Sequence, residues 1–147
     1  MENNIQSKGA TFIALRPDGT MLMQLRDENC KMYPGEWTFP GGACDGDEDP
    51  LTAAVREAKE EYDLQLDEHS GELLMQYEAP YNNNLVEYVY MFPVTYEQSP
   101  VLREGADMKW MDLDEIKHVQ VGFHKKEIVV PKLEAFLLRR QELKTTS

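Results

Sequence analysis

Residues 41–48 read GGACDGDE, and residues 56–64 read REAKEEYDL. The first stretch is rich in glycine and aspartate, which predicts a loop. Asp49 and Pro50 follow it, and this pair is typical of a helix N-cap and a first helical residue. From residue 51 to residue 62 neither glycine nor proline interrupts the chain, and apolar residues recur at helical spacing. The segment therefore predicts a tight loop that leads directly into a helix.

Three glutamates of this predicted helix, Glu57, Glu60 and Glu61, have the spacing i, i+3 and i+4, which places their carboxylates on one face. Like charges at this spacing destabilise an isolated helix by roughly 0.2–0.5 kcal/mol per pair, so stability does not require them. Binding of a hard cation such as Mg²⁺ or Mn²⁺ would explain them, because such a cation takes carboxylate oxygens as ligands. Arg56 is spaced to pair with Glu60 and to orient its carboxylate. The alternative interpretation is a solvated acidic face.

The spacing across the whole segment resembles the signature of the Nudix hydrolases. That signature is a glycine, five residues, a glutamate, seven residues and then R-E-U-x-E-E-x-G-U, where U is aliphatic. Asp63 stands where the family has glycine, and the preceding residues 37–41, WTFPG, are similar to the family's usual lead-in. The positions that match in register are Gly42, Glu48, Arg56, Glu57, Ala58, Glu60, Glu61 and Leu64.

This resemblance implies a hydrolase that splits the diphosphate linkage of a nucleoside diphosphate bonded to another group. It also implies a Mg²⁺ or Mn²⁺ cofactor. The ligands that it assigns to the metal are the side chains of Glu57, Glu60 and Glu61, the backbone carbonyl of Gly41 and, in one variant of the site, Glu104.

Around these ligands the resemblance implies supporting residues. Gly42 and Glu48 belong to the supporting loop, and Arg56 holds the loop and the helix carboxylates together. Many family members use a further glutamate after the motif as ligand or general base, and Glu104 is similar to that glutamate. An exposed turn residue is the alternative interpretation of Glu104. The expected catalytic residues are Arg56, Glu57, Glu60 and Glu104, and the identity of the general base stays open.

The charge of the 147-residue chain is strongly negative, at −12 from 27 acidic and 15 basic side chains. This argues against a nucleic-acid partner, but it allows a phosphate-bearing small molecule whose contact a divalent cation mediates. Cys30 and Cys44 lack zinc-ribbon spacing and predict free thiols. Residues 1–9 lack the pattern of a signal peptide, and no apolar run is long enough to span a bilayer. We therefore expect a cytoplasmic protein with no membrane partner.

Outside the motif, alternating patterns and turn residues predict strands at 10–15, 21–25, 72–78, 86–94 and 108–111. Residues 27–46 carry many glycines and prolines and predict mostly loop. A short helix is predicted at 112–117, and Pro131 predicts the start of a last helix that ends near Leu143. No repeat divides residues 1–147, so we expect a single domain. The fold class expected is α+β, an α/β/α sandwich around a mixed β-sheet.

The expected partner is a small-molecule nucleotide, either a nucleoside triphosphate or a nucleotide sugar, and the small domain slightly favours the triphosphate. Lys125 and Lys126 are candidates for contact with a terminal phosphate. A nucleotide-binding sensor without turnover is the alternative from another class, although the chain keeps every glutamate of the motif. A homodimer is compatible with the sequence. Aromatic residues that suit stacking on a base or sugar, and equally suit packing, are Tyr33, Trp37, Tyr81, Phe123 and His124.

Overall fold

The computed structural model describes residues 6–145. Within this range seven strands form one sheet, and three α-helices and one short 3₁₀ turn, Glu68–Ser70, accompany it. The strands are β1 (Ser7–Leu15), β2 (Met21–Leu25), β3 (Trp37–Thr38), β4 (Gly41–Ala43), β5 (Glu72–Glu78), β6 (Leu85–Pro93) and β7 (Asp107–Met111). The helices are α1 (Pro50–Tyr62), α2 (Leu113–Lys117) and α3 (Lys125–Thr145).

Strand β1 is the centre of the sheet. It runs parallel to β6 along its whole length, from the pair Ser7–Leu85 to the pair Leu15–Pro93. The other pairings are antiparallel: β1 with β4 and β2, β2 with β3 and β7, and β5 with β6. The mixed sheet brings the motif to β1, because β4 contains the glycines with which the motif begins.

The two faces of β1 belong to different apolar layers. Phe12 and Ala14 pack with the alanines and Tyr62 of α1, whereas Ile13 and Leu15 pack with residues of α3. Helices therefore cover both faces of the sheet, which explains why the second half of β1, residues 12–15, is apolar without interruption. This arrangement confirms the predicted α/β/α sandwich with a mixed β-sheet.

Helix α1 has the boundaries that its sequence predicts. The Asp49 carboxylate accepts a hydrogen bond from the backbone N–H of Leu51 at 2.8 Å, and Pro50 is the first helical residue. At the other end Asp63 adopts the left-handed conformation, with φ 55° and ψ 32°. Its backbone N–H returns to the carbonyl of Lys59 at 3.0 Å, which ends the helix. Asp63 thus takes the conformation for which glycine has no steric cost.

We expect Asp63→Gly to stabilise the protein by less than about 0.5 kcal/mol. Relief of the left-handed strain favours glycine, whereas the glycine entropy of the unfolded chain, roughly 0.4–1 kcal/mol, opposes it. The sequence alone predicts a larger gain in stability, about 0.5–1 kcal/mol, because relief of backbone strain and of negative charge at the helix end outweighs that entropy. The structure adds an ion pair between Asp63 and Lys59 at 2.8 Å, which the substitution removes. An exposed pair of this kind contributes little, because water and salt screen it.

Thermal melts at low and high salt measure this balance. Salt screens the Lys59 pair, so the advantage of Asp63→Gly is expected to grow as salt is added. Asp63→Asn is the matched control, because it removes the charge but keeps a side chain that tolerates the left-handed conformation. A melting temperature of Asp63→Gly well below that of the wild type at both salt concentrations would contradict the strain argument.

Helix α3 corrects the prediction that Pro131 opens the last helix. The helix begins at Lys125, and Pro131 lies inside it. A proline inside a helix costs about 3 kcal/mol. Val129 and Val130, which precede it, are buried in the core, and burying each contributes roughly 1.5–3 kcal/mol. Core packing therefore extends the helix beyond the boundary that local residue preference predicts.

The predicted loop 27–46 also contains two short strands, β3 and β4, which the sequence analysis did not predict. Both are formed by pairing with distant strands rather than by local pattern, since β3 pairs with β2 and β4 with β1. Cys30 and Cys44 are free thiols, as predicted. Among the helices within residues 6–145, none combines the length and apolarity needed to cross a membrane. A cytoplasmic location stays a prediction.

Candidate functional site

The glutamates of α1 form an acidic triad, which consists of Glu57, Glu60 and Glu61. One carboxylate oxygen of each lies within 4.8 Å of the others. Glu57 and Glu61 are partly buried and Glu60 is exposed. Burial raises the pKa of Glu57, because the charged carboxylate loses contact with water. Three converging oxygen ligands are a donor set that suits a hard divalent cation.

Arg56 connects the triad to the preceding loop. Its Nε and Nη2 donate to the two carboxylate oxygens of Glu48, each at 2.9 Å. Its Nη1 donates to Glu57 and to Glu60, each at 3.1 Å, so the predicted Arg56–Glu60 ion pair is present. The two-pronged contact is the main reason that the pKa of Glu48 falls to about 2, and the backbone N–H of Asp45 adds to it.

Two glycines provide the space in which this arrangement fits. A Cβ on Gly42 would lie 2.5 Å from a carboxylate oxygen of Glu57. A Cβ on Gly41 would lie 2.2 Å from the carbonyl oxygen of Ala10, because β4 runs close to β1 there. Gly42 therefore makes room for a triad side chain, whereas Gly41 makes room for the backbone of the central strand.

Glu104 lies on a loop that contacts both α1 and β2; we call residues 101–106 the glutamate loop. The Arg103 guanidinium donates to the Glu60 carbonyl at 3.1 Å, and the Gln24 side-chain amide donates to the Glu104 carbonyl at 2.9 Å. These contacts bring the Glu104 carboxylate to Glu61. A hydrogen bond between the two carboxyl groups is the largest cause that raises the pKa of Glu61. The sequence analysis did not single out Gln24 or Arg103.

A cavity of about 310 Å³ opens beside the motif glycines. Among the residues that line it are Gly41 and Gly42, and strands β1 and β6 contribute Thr11 and Glu87. We call it the motif cavity. It is partly aromatic, because Tyr81 and Phe123 belong to its wall. Gly42 links it to the triad, because Gly42 belongs to the cavity wall and also adjoins the Glu57 carboxylate.

The aromatic candidates take different positions. Tyr81 and Phe123 line the motif cavity, with ring centroids 5.1 Å apart. Tyr33 packs on Phe123 at 4.7 Å, and the His124 ring stacks on Tyr81 at 6.4 Å. These four rings form one cluster. Trp37 lies instead in β3, where it packs against the apolar core, and it does not line the cavity.

The two candidate lysines also differ. Lys125 is buried and lines the motif cavity. Its Nζ donates to the Thr38 hydroxyl at 3.0 Å and to the Phe39 carbonyl at 3.2 Å. Burial lowers the pKa of Lys125 to about 8. Lys126 donates its Nζ to the carbonyl of Val119 and lies outside the cavity lining.

Glu87 is a cavity residue that the sequence analysis missed. It interrupts the apolar strand β6, and a charged residue in such a strand is the signal that indicates a special role. Gly9, Thr11 and Arg26 were missed as well, and they carry no comparable signal.

These observations define an α/β/α sandwich whose acidic triad adjoins a glycine loop that also borders a cavity. A family model described as the NUDIX domain matches residues 6–132. The chain belongs to the Nudix family.

One protein with a similar sequence is a hydrolase. The m7GpppN-mRNA hydrolase NUDT17 of Xenopus laevis is 28% identical over 115 residues. That alignment covers 67% of this chain and 39% of the relative, so the chain spans well under half of that protein.

Two solved structures show the same fold. A MutT/Nudix family protein from Listeria innocua matches with a TM-score of 0.76 at 17% identity, and the match covers 93% of this chain and 97% of that one. The Nudix domain of Shewanella oneidensis NrtR, crystallised with ADP-ribose, has a TM-score of 0.73 at 17% identity. It covers 93% of this chain and 90% of its own.

Proposed function

We propose that this protein is a divalent-metal-dependent hydrolase that splits the diphosphate linkage of a nucleoside diphosphate derivative. The observation that carries the proposal is the acidic triad, whose oxygens converge within 4.8 Å beside the motif cavity. Membership of the Nudix family supports it, because the resemblance of the motif implies this chemistry.

The triad fits a Mg²⁺ or Mn²⁺ ion, since its donors are carboxylate oxygens that already lie close together. The holders would be Glu57, Glu60 and Glu61, together with the Gly41 carbonyl that the resemblance assigns. Such an ion, when bound, neutralises charge on phosphate oxygens and lowers the pKa of bound water.

The chain's own residues orient the reacting groups. Arg56 fixes Glu57 and Glu60 through its Nη1, while Glu48 fixes Arg56. The neighbouring Glu104 carboxyl raises the pKa of Glu61, which favours uptake of a proton by Glu61. A glutamate of this pair is therefore suited to take the proton of the attacking water, provided that the water lies within hydrogen-bond reach.

The cavity and the relatives support a proposal for the substrate class. The motif cavity offers aromatic rings to a base or sugar, and its wall includes Gly42, which adjoins Glu57 of the triad. The NrtR domain binds ADP-ribose, and NUDT17 is a hydrolase of capped mRNA. Both ligands contain a nucleoside diphosphate, so we propose a nucleoside triphosphate or a nucleotide sugar for this chain.

A release assay tests the proposed function. Purified protein is incubated with nucleoside triphosphates, nucleotide sugars and dinucleotides, with Mg²⁺, with Mn²⁺ and with EDTA. We expect metal-dependent release of phosphate, pyrophosphate or nucleotide from at least one compound, and none in EDTA. Tight binding of one nucleotide without any turnover would overturn the proposal and favour the sensor, the alternative function on the same fold.

Gly42→Ala is expected to lower turnover while the protein stays folded. The new Cβ would displace the Glu57 carboxylate, which lies at the end of a flexible side chain. A displacement of about 1 Å at a catalytic group costs up to about 100-fold in rate. Turnover and thermal melts measure the two effects separately.

Gly41→Ala is the matched comparison. There the Cβ meets the backbone of Ala10, which cannot move without disturbing the sheet, so we expect a large loss of stability. Equal melting temperatures and equal rates for wild type and Gly42→Ala would contradict the role of this glycine.

A further inference from the structure

Glu87 places a carboxylate inside the motif cavity on a prepared support. It lies in β6 beside Gly9 of β1, its register partner. A Cβ on Gly9 would lie 2.5 Å from Glu87 Oε1, so only glycine leaves room for the carboxylate. The Tyr81 hydroxyl donates to Oε1 and the Thr11 hydroxyl donates to Oε2, each at 3.2 Å. Three neighbouring residues thus fix one acidic side chain.

This position does not suit a phosphate group. The carboxylate would repel a phosphate, whereas the acidic triad, which Gly42 adjoins, has the donor set for metal-bound phosphates. Glu87 therefore faces the part of the ligand that carries no phosphate. The aromatic rings of Tyr81 and Phe123 in the same cavity favour a flat ring there.

The donors and acceptors that remain free in the cavity indicate which hydrogen-bonding groups the ring must carry on its edge. A carboxylate can accept about four hydrogen bonds, and the two hydroxyls use one on each oxygen. A lysine ammonium has three donors, and Lys125 uses two of them on Thr38 and Phe39. Glu87 and Lys125 together thus offer the cavity a pair of adjacent acceptors and one donor.

We propose that Glu87 is a specificity-determining residue that accepts the two adjacent N–H groups of a guanine base, while Lys125 donates to the neighbouring carbonyl oxygen. Guanine carries an amino group, a ring N–H and a carbonyl in a row on one edge. Adenine lacks the ring N–H and the carbonyl, and uracil has a single N–H. This inference rests on the proposed function in one respect, namely that the ligand is a nucleotide.

Calorimetric binding of GMP, IMP and AMP without metal tests the inference independently of turnover. IMP is the sharpest comparison, because it differs from GMP only by the absence of the amino group. A bidentate contact of this kind discriminates by roughly fivefold or more. We expect wild-type protein to bind GMP at least about fivefold more tightly than IMP, and AMP more weakly than GMP.

Glu87→Gln has nearly the same shape but loses one acceptor, so we expect its preference for GMP over IMP to fall below about twofold. Tyr81→Phe removes one support of the carboxylate and is expected to reduce the preference in part. Glu72→Gln is the matched control, since Glu72 is an exposed glutamate of β5 outside the motif cavity, and it should keep the wild-type preference. Thermal melts verify that each variant is folded.

The contrary outcomes are distinct. Equal affinities of wild-type protein for GMP, IMP and AMP would overturn the inference. Equal weakening of all three nucleotides in Glu87→Gln would also overturn it, because it would place the carboxylate on the ribose. A protein that prefers GMP over IMP but hydrolyses no nucleotide would retain the inference and overturn the proposed function. Hydrolysis without base preference would do the reverse.

Discussion

We expect Glu61→Gln to lower turnover by at least about two orders of magnitude. This is the scale of the loss when a positioned electrostatic or acid–base group is removed. Glu60→Gln is expected to have a similar effect. Each variant replaces a charged triad oxygen, so the affinity for Mg²⁺ should fall with the rate. Steady-state kinetics across a range of Mg²⁺ concentrations and calorimetric metal binding measure both quantities.

The two variants should differ in stability. Glu61→Gln relieves repulsion within the triad and from Glu104, so its melting temperature should be unchanged or higher. Glu60→Gln loses the contact with Arg56, which is exposed enough to contribute about 0.5 kcal/mol or less. Glu97→Gln is a control on an exposed loop. Near wild-type turnover in either triad variant would show that this helix face is not the metal site.

Glu104→Gln is expected to lower kcat by about 10²- to 10⁴-fold with little change in substrate affinity. The reason is that a general base or a metal ligand acts mainly in the transition state. The structure supports this expectation over the exposed-turn interpretation, because the Glu104 carboxyl reaches Glu61 and the loop backbone is held by Gln24. Single-turnover kinetics and substrate binding separate the two effects.

An unchanged kcat would return Glu104 to the role of a turn residue and leave the base among the triad glutamates. Arg103→Lys provides a comparison, since it alters a contact of the same loop with the Glu60 carbonyl but leaves the Glu104 side chain intact. We expect a smaller loss in that variant than in Glu104→Gln.

The motif and its helix could be predicted from sequence because their signals are local. Asp49, Pro50 and Asp63 determine the ends of α1, and the i, i+3, i+4 spacing alone places the triad on one face. Helix capping and side-chain direction depend on neighbours within a few residues, so the sequence contains the whole argument.

The cavity could not be predicted in this way, because distant segments form it. Thr11 and Glu87 come from strands that pair in the fold, and Lys125 enters from α3. The contact between Gln24 and the glutamate loop likewise joins β2 to a distant segment. The predicted start of α3 was wrong for a related reason. Burial of Val129 and Val130 in the core outweighs the local preference of Pro131 for the first position of a helix.

The parallel pairing of β1 with β6 has a consequence for the order of folding. Thr11 and Glu87 are 76 positions apart, and closing so long a segment costs chain entropy before any contact is gained. Helix α1 is local and can form early, whereas pairing of such distant strands is slow. During refolding, helical circular dichroism should therefore recover before the protein regains its affinity for a nucleotide.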